Sequence, residues 1–483
     1  MNGQGVRPSE PEFSVEEKVT IRSVGIDFHQ GQHRVSCLDE QAQSCDSFSF
    51  QTTPEGLTTL EEHIFKDGSN PTIVFEPAGL PWLTVAAYLR SRFPDCRLVK
   101  ARTQKVAALR QYLRGPAKSD RIDALTLAKM PFIDPEQLEE IYLPSAEIHA
   151  LQRLTRQRKR LVGDISGRKV RIQTIIDGYL PGVRKAFSSP WSIRFRAFLR
   201  SRLNPFAVVR DGEKAFITSL NKASSREKGS RAESHQVFLA CQAVANICEI
   251  SQPVKTINEE FFIEFQDEIA RELRLMEMEE AESESVESRI SEIYQKLHPS
   301  NNLSTIPGVG EHTAPVFLSS IGDPSRFRNQ SAFANWTGAV PGSRQSSNME
   351  AKGLRMTKAG PSIMRMALFQ SGDIGRRWDP QLAAVYYREM VHNGKNHKQA
   401  MGAVMSHLGA RVWKVLLEDK PYELRDIDGK PITRSDARRL ILTKYHVPED
   451  IRRERRRRNT KSGKIRETVT YRKNEAAKAP QPV

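Results

Sequence analysis

Over the first quarter of the chain, apolar residues alternate with polar ones or gather in short runs. Ile21 to Asp27 (IRSVGID) predicts a strand that ends on an acid. His33 to Leu38 and Ser47 to Gln51 predict two further strands with a polar turn between them, and Pro54 to Phe65 predicts a helix. Thr72 to Glu76 (TIVFE) is a compact apolar run of the kind a buried strand shows, and it too ends on an acid. A helix over Pro81 to Arg92, a strand over Cys96 to Val99 and a helix over Gln104 to Leu113 follow. Three strands, then strands alternating with helices, predict a mixed sheet with helices packed on it.

Downstream the spacing becomes helical. Ser145 to Ile176 is a basic helical stretch with Arg153, Arg156, Arg158, Lys159 and Arg160 close together. Residues 186–232 are rich in Ser, Arg and Lys and show no clear period. Between Ile257 and Leu297, the apolar residues Ile269, Leu273, Met276, Ile290, Ile293 and Leu297 fall at +3 and +4 steps, with Glu280 and Ser283 breaking the seam. An antiparallel or intersubunit coiled coil fits this pattern, and so does a helix packed on its own domain. Leu303 to Leu368 is dense in Gly and Pro, more helix runs to about Leu417, and Arg452, Arg453 and Arg455 to Arg458 dominate the end. The division expected is a flexible tail at 1–20, an α/β domain at 21–135, a basic helical and coiled-coil region at 136–300, a mostly helical domain at 301–425 and a basic tail at 426–483.

With 483 residues and a formal net charge of +16, the chain has the length for two or three domains and the charge for a polyanionic partner. Nucleic acid is the first candidate, since neutralising phosphates releases counterions. An acidic membrane surface is the rival, but no apolar run approaches the roughly 20 residues that span a bilayer. The polar start, Met1 to Lys18, lacks the apolar core of a secretory signal. Five cysteines, odd in number and without a CxxC pair, point to free thiols in a reducing cytoplasm and away from a disulfide framework or zinc site.

The candidate chemistry lies in four carboxylates. Asp27 and Glu76 end the first and fourth predicted strands, which lie side by side in an RNase H-like core of this order. Asp120 and Asp123 are spaced i, i+3 and so share one helix face. Four crowded carboxylates repel one another without cations, and hard oxygen ligands suit Mg²⁺ or Mn²⁺. Two such ions can activate an attacking oxygen and stabilise a leaving one in phosphoryl transfer. Taken singly, each acid reads equally as a helix cap or a solvated charge, and His29 reads as a surface or loop histidine. Ile306 to Gly310 (IPGVG) reads as a helix-hairpin-helix turn in which Gly308 and Gly310 let a phosphate approach the backbone, or else as an ordinary tight turn.

The segments VGIDFH, IVFEPAG and AKSDRIDALTLA resemble the DEDD domain of IS110-type (IS110/IS1111) transposases, which is similar to RuvC resolvases. STIPGVGEHTAPVFLSSIGDPSRFRNQSAFANWTGAVPGSRQSS, followed by GLRMTKAG, resembles the same family's second domain. The resemblance covers most of residues 21–420. It implies that Asp27, Glu76, Asp120 and Asp123 bind divalent metal, and that a serine in the second domain attacks the DNA phosphodiester. Counting from Pro341 along the family pattern lands on Ser346. Ser347 is the runner-up, because Ser347 and Asn348 stand where the family commonly has glycines. Arg344, Arg355 and Lys358 flank the serine and are candidates for gripping the scissile backbone. The loop from Met349 to Met356 runs about one residue longer than the family's. The resemblance further implies donor and target DNA as substrates, a structured bridge RNA as guide, a dimer or tetramer with composite sites, and action in the prokaryotic cytoplasm at the nucleoid. Two other functions fit the residues alone: a metal-dependent nuclease or Holliday-junction resolvase that uses water, and a nucleic-acid-binding protein without catalysis.

Overall fold

The computed structural model describes residues 20–66, 68–76, 81–224, 230–250, 256–342, 345–346, 349–350 and 354–455. The tail read at 1–20, apart from its last residue, lies outside them, as do Arg344, Ser347 and the arginines from Arg456 onward. The chain divides into two compact units, Met1–Leu143 and Pro144–Val483.

The first unit is built on a six-stranded sheet in the order β3-β2-β1-β4-β5-β6. Its strands are β1 (Ser23–Asp27), β2 (His33–Leu38), β3 (Ser44–Phe50), β4 (Thr72–Phe75), β5 (Leu98–Lys100) and β6 (Glu139–Glu140). β1 to β3 form an antiparallel meander, β4 and β5 run parallel to β1, and β6 closes the edge antiparallel to β5. Helices α1 (Pro54–Ile64), α2 (Pro81–Arg92), α3 (Thr103–Arg114) and α4 (Asp120–Ile133) connect or cover them. The mixed sheet is the one the strand and helix order predicted. β6 was not predicted: two glutamates carry no apolar alternation, and this strand lies past the boundary expected at 135.

Strand periodicity decides which side of the sheet carries the acid. Val24 and Ile26 point into an apolar core with Val35, Leu60, Ile73, Phe75 and Val85. Ser23, Gly25 and Asp27 therefore face the other side, where α4 packs. A Cβ on Gly25 would stand 2.1 Å from the Ala124 carbonyl oxygen and 2.4 Å from the Ala128 nitrogen. Ser23 Oγ donates to the Ala128 carbonyl at 2.7 Å. Two small residues thus let the α4 backbone lie directly on β1, which carries Asp123, one residue before Ala124, to the sheet end where Asp27 sits. Gly25→Ala is expected to destabilise the unit by about 3 kcal/mol, because the obstacle is helix backbone and no flexible side chain can yield. Equilibrium urea denaturation checks this, and a loss under about 0.5 kcal/mol would contradict it.

The second unit is helical. Its long elements are α5 (Ala146–Tyr179), α10 (Arg231–Ile250), α11 (Glu259–Leu297) and α16 (His397–Glu418). Between them lie α6 (Val183–Ala186), α7 (Ile193–Ser201), α8 (Pro205–Asp211), α9 (Glu213–Ala223), α12 (Ala314–Ile321), α13 (Gln330–Thr337), α14 (Ser362–Gly375) and α15 (Pro380–Tyr387), with α17 (Arg434–Lys444) after α16. A short hairpin of β7 (Gln345–Ser346) and β8 (Met349–Glu350) precedes α14.

α5 and α11 pair within one chain, and their ion pairs fix the direction. Glu147 meets Lys296, Arg158 meets Glu287, Arg168 meets Glu279 and Glu272, and Arg171 meets Glu272. Partner numbers fall as α5 advances, so the helices are antiparallel. The seam runs on through the residues expected to break it: Ser283 is buried, and Glu280 pairs with Lys169 at 2.8 Å and Arg196 at 2.6 Å. One end of this pair shares a core with the C-terminal helices, joining Ile148, Leu151 and Ile290 to Phe317, Leu368 and Leu408. No break in the core therefore marks residue 300. The other end packs with α7 to α10 around Phe195, Phe198, Phe216 and Phe262. There Arg194, 2 % exposed, is neutralised by Glu233 at 3.1 Å and also donates to Asn221, Ser224 and Ser234. That network organises the 186–232 segment, whose sequence shows no period.

Among the described residues, no helix is long and apolar enough to cross a membrane. All five cysteines are free. Burial pushes the Cys96 and Cys241 thiols up to about 12, which leaves both unreactive.

Candidate active site

Asp27 is the last residue of β1 and its carboxylate is 15 % exposed. Asp120 and Asp123 fall in the first turn of α4, which begins after an N-cap at Ser119, whose hydroxyl accepts from the Ile122 N–H. The i, i+3 spacing gives them a common face, and the close approach at Gly25 sets that face against the end of β1. Ile26 pairs with Phe75 in parallel register, so Asp27 and Glu76 are the next residues out on neighbouring strands.

The structure brings three groups into a tight triangle: Asp27, Asp120 and His29 each place a ligand atom within 4.8 Å of the others. His29 Nε2 lies 3.1 Å from Asp27 Oδ2 and 3.3 Å from Asp120 Oδ1. The carboxylates of Asp123 and Glu76 are not part of that triangle. Asp123 is held by Arg110 of α3 at 2.7 Å, and Glu76 is half-buried beyond the end of β4. Burial pushes the Asp27 carboxyl above its ordinary range; His29 opposes this, and the negative charges of Asp123 and Asp120 add to it. Ionised Asp27 thus sits where a cation would relieve both its desolvation and its repulsion.

The position of His29 is fixed from behind. Its backbone N–H donates to His33 Nδ1 at 3.3 Å, and His33 Nε2 contacts Thr52 Oγ1 at 2.7 Å. His33 is buried, and desolvation with the neighbouring His29 lowers its pKa. A neutral His33 that accepts at Nδ1 and donates at Nε2 satisfies both contacts. The sequence predicts a surface or loop histidine at His29. It does lie in a loop and is 42 % exposed, but its imidazole projects between two of the four acids. Its i+2 spacing from Asp27 was the available signal. Arg110 gave none, since its helix carries other basic residues.

The spacing of the donor set fits a divalent ion. Neighbouring ligands of an octahedral ion at ~2.1 Å stand about 3.0 Å apart. The 3.1 and 3.3 Å separations fall close to that edge. Two carboxylates and an imidazole nitrogen suit a divalent metal.

In the second unit, Ser346 forms the last described pair of the hairpin, opposite Met349. The ladder below it includes the bridge Pro341–Met356 and hydrogen bonds from Gly342 N to Arg355 O, from Thr357 N to Val340 O and from Lys358 N to Gly338 O. The base is fixed by glycines. A Cβ on Gly338 would stand 2.3 Å from Ala359 N, and one on Gly360 2.0 Å from Trp336 O. Arg355 and Lys358 are exposed on the returning arm.

The IPGVG turn is accounted for by packing. Gly308 has φ +90°, and a Cβ there would stand 2.2 Å from the Ser371 carbonyl oxygen and 2.6 Å from Gly375 N, so the turn lies flush on α14. The Gly310 N–H donates to Thr313 Oγ1 and the Val309 N–H to the Ile306 carbonyl. These two amides are therefore already engaged, which weakens the expectation that the turn's backbone holds a phosphate. On α5, Arg158, Arg168, Lys169 and Arg171 are taken by α11 carboxylates. Arg153, Arg156, Lys159 and Arg160 are exposed and make no ion pair among the described residues.

Two family patterns match in chain order. Residues 24–181 match the DEDD transposase domain of IS110 elements, and residues 300–387 match the transposase family IS116/IS110/IS902. The chain belongs to the IS110 family of transposases. Among its relatives, the "Pilin gene-inverting protein" of Moraxella bovis is 30 % identical over 128 residues, which is 26 % of this chain and 40 % of the relative. Its counterpart in Moraxella lacunata is 30 % identical over 123 residues, or 26 % and 38 %. An "Insertion element IS110 uncharacterized 43.6 kDa protein" of Streptomyces coelicolor is 27 % identical over 141 residues, or 29 % and 34 %. The chain therefore spans about two fifths or less of the relatives it matches. Within the family pattern, Asp27, Glu76, Asp120 and Asp123 all fall in the first matched segment and Ser346 in the second.

Proposed function

We propose that this chain is a DNA transposase that cuts and rejoins strands at a divalent-metal carboxylate centre, with Ser346 as nucleophile and a structured RNA as guide. The observation that carries this reading is the convergence of Asp27, Asp120 and His29, with Asp123 beside them, at one end of an RNase H-like sheet. Asp27 and Asp120 would hold the ion, His29 would supply a nitrogen ligand, and Asp123 and Glu76 would complete the acidic surround. Bound there, a Mg²⁺ or Mn²⁺ ion supplies activation of the attacking oxygen and stabilisation of the leaving one. Arg110 orients Asp123 and offsets part of the repulsion among the acids.

Attack by Ser346 Oγ on phosphorus forms a serine–phosphate ester, breaks one bond from phosphorus to deoxyribose oxygen, and passes the hydroxyl proton to a base while the leaving oxygen takes one up. The ester conserves the energy of the broken bond, so a strand hydroxyl reverses the step and reseals without ATP. A serine hydroxyl is a weak nucleophile unless activated, which requires the two units' sites to act together in one chain or across subunits of a dimer or tetramer. The exposed arginines of α5 supply phosphate contacts for DNA or the guide RNA without reading sequence. Relatives named for inverting a pilin gene favour this reading, because inverting a segment demands both cutting and rejoining.

The test is to incubate the full chain with element-end DNA, the element's transcript and Mg²⁺ or Mn²⁺. Strand cleavage and joining that stop on adding EDTA are expected. Tight binding of both nucleic acids with no cleavage under either metal would overturn the catalytic reading and leave a binding protein.

A further inference from the structure

A cavity of about 400 Å³ lies where the end of α14, the start of α16 and the helical turn beginning at Glu449 meet. Among the described residues, five cations line it, Arg376, Arg377, Lys398, Arg452 and Arg455, against the single carboxylate of Asp373. That carboxylate is already engaged: Arg376 reaches one oxygen at 2.5 Å and Arg377 the other at 2.7 Å. Glu449 and Glu454 touch Arg452 and Arg455 only at 4.0 and 3.6 Å. The Nε atoms of Arg452 and Arg455 are buried and have no hydrogen-bond acceptor among the described residues. A buried donor without an acceptor is costly, and a group of like charges around one cavity is unfavourable until an anion enters.

The fold adds a second attraction. α16 is 22 residues long, and its N-terminus, capped by Asn396, opens on the same cavity. The positive end of a helix dipole favours an anion, and phosphate oxygens match the planar donors of arginine. The sequence predicts no more than a basic tail for the arginine run. Arg452 and Arg455, near its start, instead close a pocket, and Arg455 keeps only 13 % of its side chain exposed.

We infer that this pocket is a phosphate site and that its occupant is a backbone phosphate of a bound nucleic acid. The occupant rests on the reading that the chain handles DNA and RNA, whereas the phosphate chemistry rests on the pocket alone. Open access through the exposed Lys398 and the net charge of +16 favour a polymer backbone over a small solute.

The test compares wild type, Lys398→Ala and the double variant Arg452→Ala/Arg455→Ala. Binding of the full chain to a DNA duplex and to an RNA hairpin is followed by fluorescence anisotropy over a range of KCl concentrations. Loss of one phosphate contact should reduce the steepness of log K against log salt by about one and weaken binding about fivefold at roughly 0.15 M salt, for at least one of the two polymers. Lys398 is exposed, so its variant keeps the test open if the double variant does not fold. Slopes and affinities equal to wild type in folded variants would overturn the inference. If inorganic phosphate at fixed ionic strength raises the Tm of wild type and not of the variants, while the slopes stay the same, the pocket takes a free phosphate solute and the backbone assignment falls. A wild type that binds neither polymer would overturn the nucleic-acid reading itself, whatever phosphate does.

Discussion

Asp27→Asn should lower strand cleavage by about three orders of magnitude while leaving the fold as stable as before or more so. The first half follows from position: Asp27 lies 3.1 Å from His29, feels both Asp120 and Asp123, and is mostly buried at the sheet end. Losing an anionic ligand there removes several kcal/mol of charge stabilisation, and each ~1.4 kcal/mol is tenfold in rate. The second half follows from its raised pKa. A carboxylate whose folded pKa lies above its unfolded one costs stability once the pH passes the unfolded value, and it costs nothing in more acidic solution where both states are protonated. An amide of the same shape carries no such cost, so the metal-free variant should melt at or above the wild-type Tm at neutral pH, with the difference closing as the pH falls. His29→Ala should be milder and metal-selective. An imidazole nitrogen contributes more to Mn²⁺ than to the harder Mg²⁺, so Mn²⁺ affinity should fall more than Mg²⁺ affinity. The measurements are Mn²⁺ binding by electron paramagnetic resonance, Mg²⁺ competition, cleavage rates and melting curves. Cleavage within tenfold of wild type in Asp27→Asn, or Mn²⁺ affinity unchanged by it, would remove the metal reading.

Much of this arrangement can be read from local pattern, and the reasons are particular. Alternation alone puts Ser23, Gly25 and Asp27 on one face of β1, and two small residues before an acid leave room for a helix. The i, i+3 pair at Asp120 and Asp123 needs only helix geometry. What the sequence hides depends on contacts between distant segments. His29 enters the site because His33 of β2, itself held by Thr52 just past β3, accepts from its backbone N–H, and Arg110 because α3 happens to face α4. The antiparallel sense of α5 and α11 is fixed by ion pairs more than 100 residues apart, which also divide one run of arginines into paired and free sets. Gly308 looks like a phosphate-binding glycine in isolation, and only the α14 backbone above it shows that packing demands it. The acid pair at β6 joins the sheet through backbone hydrogen bonding, to which hydrophobic periodicity is blind.

Ser346→Ala should abolish a covalent protein–DNA adduct, whereas Ser347→Ala should retain most of it. The distinction rests on the hairpin. Ser346 is in register with Met349, and nearer the base Gly342, Thr357 and Lys358 make backbone hydrogen bonds between the two arms, so its backbone is held by the paired strand. A nucleophile gains when its position is fixed before reaction, because the entropy of orienting it has already been lost on folding. The glycines at the base, each too close to backbone for a Cβ, pack the two arms tightly there, and Arg355 and Lys358 stand on the returning arm with their charges exposed. The adduct is read as an SDS-resistant band after incubation with element-end DNA, guide RNA and divalent metal, and its phosphoserine is located by mass spectrometry. Loss of the band only in Ser347→Ala would move the nucleophile to the adjacent position. Cleavage that survives both substitutions yet stops in Asp27→Asn would assign the attack to water and make the chain a metal-dependent nuclease, with the hairpin serving to grip the backbone.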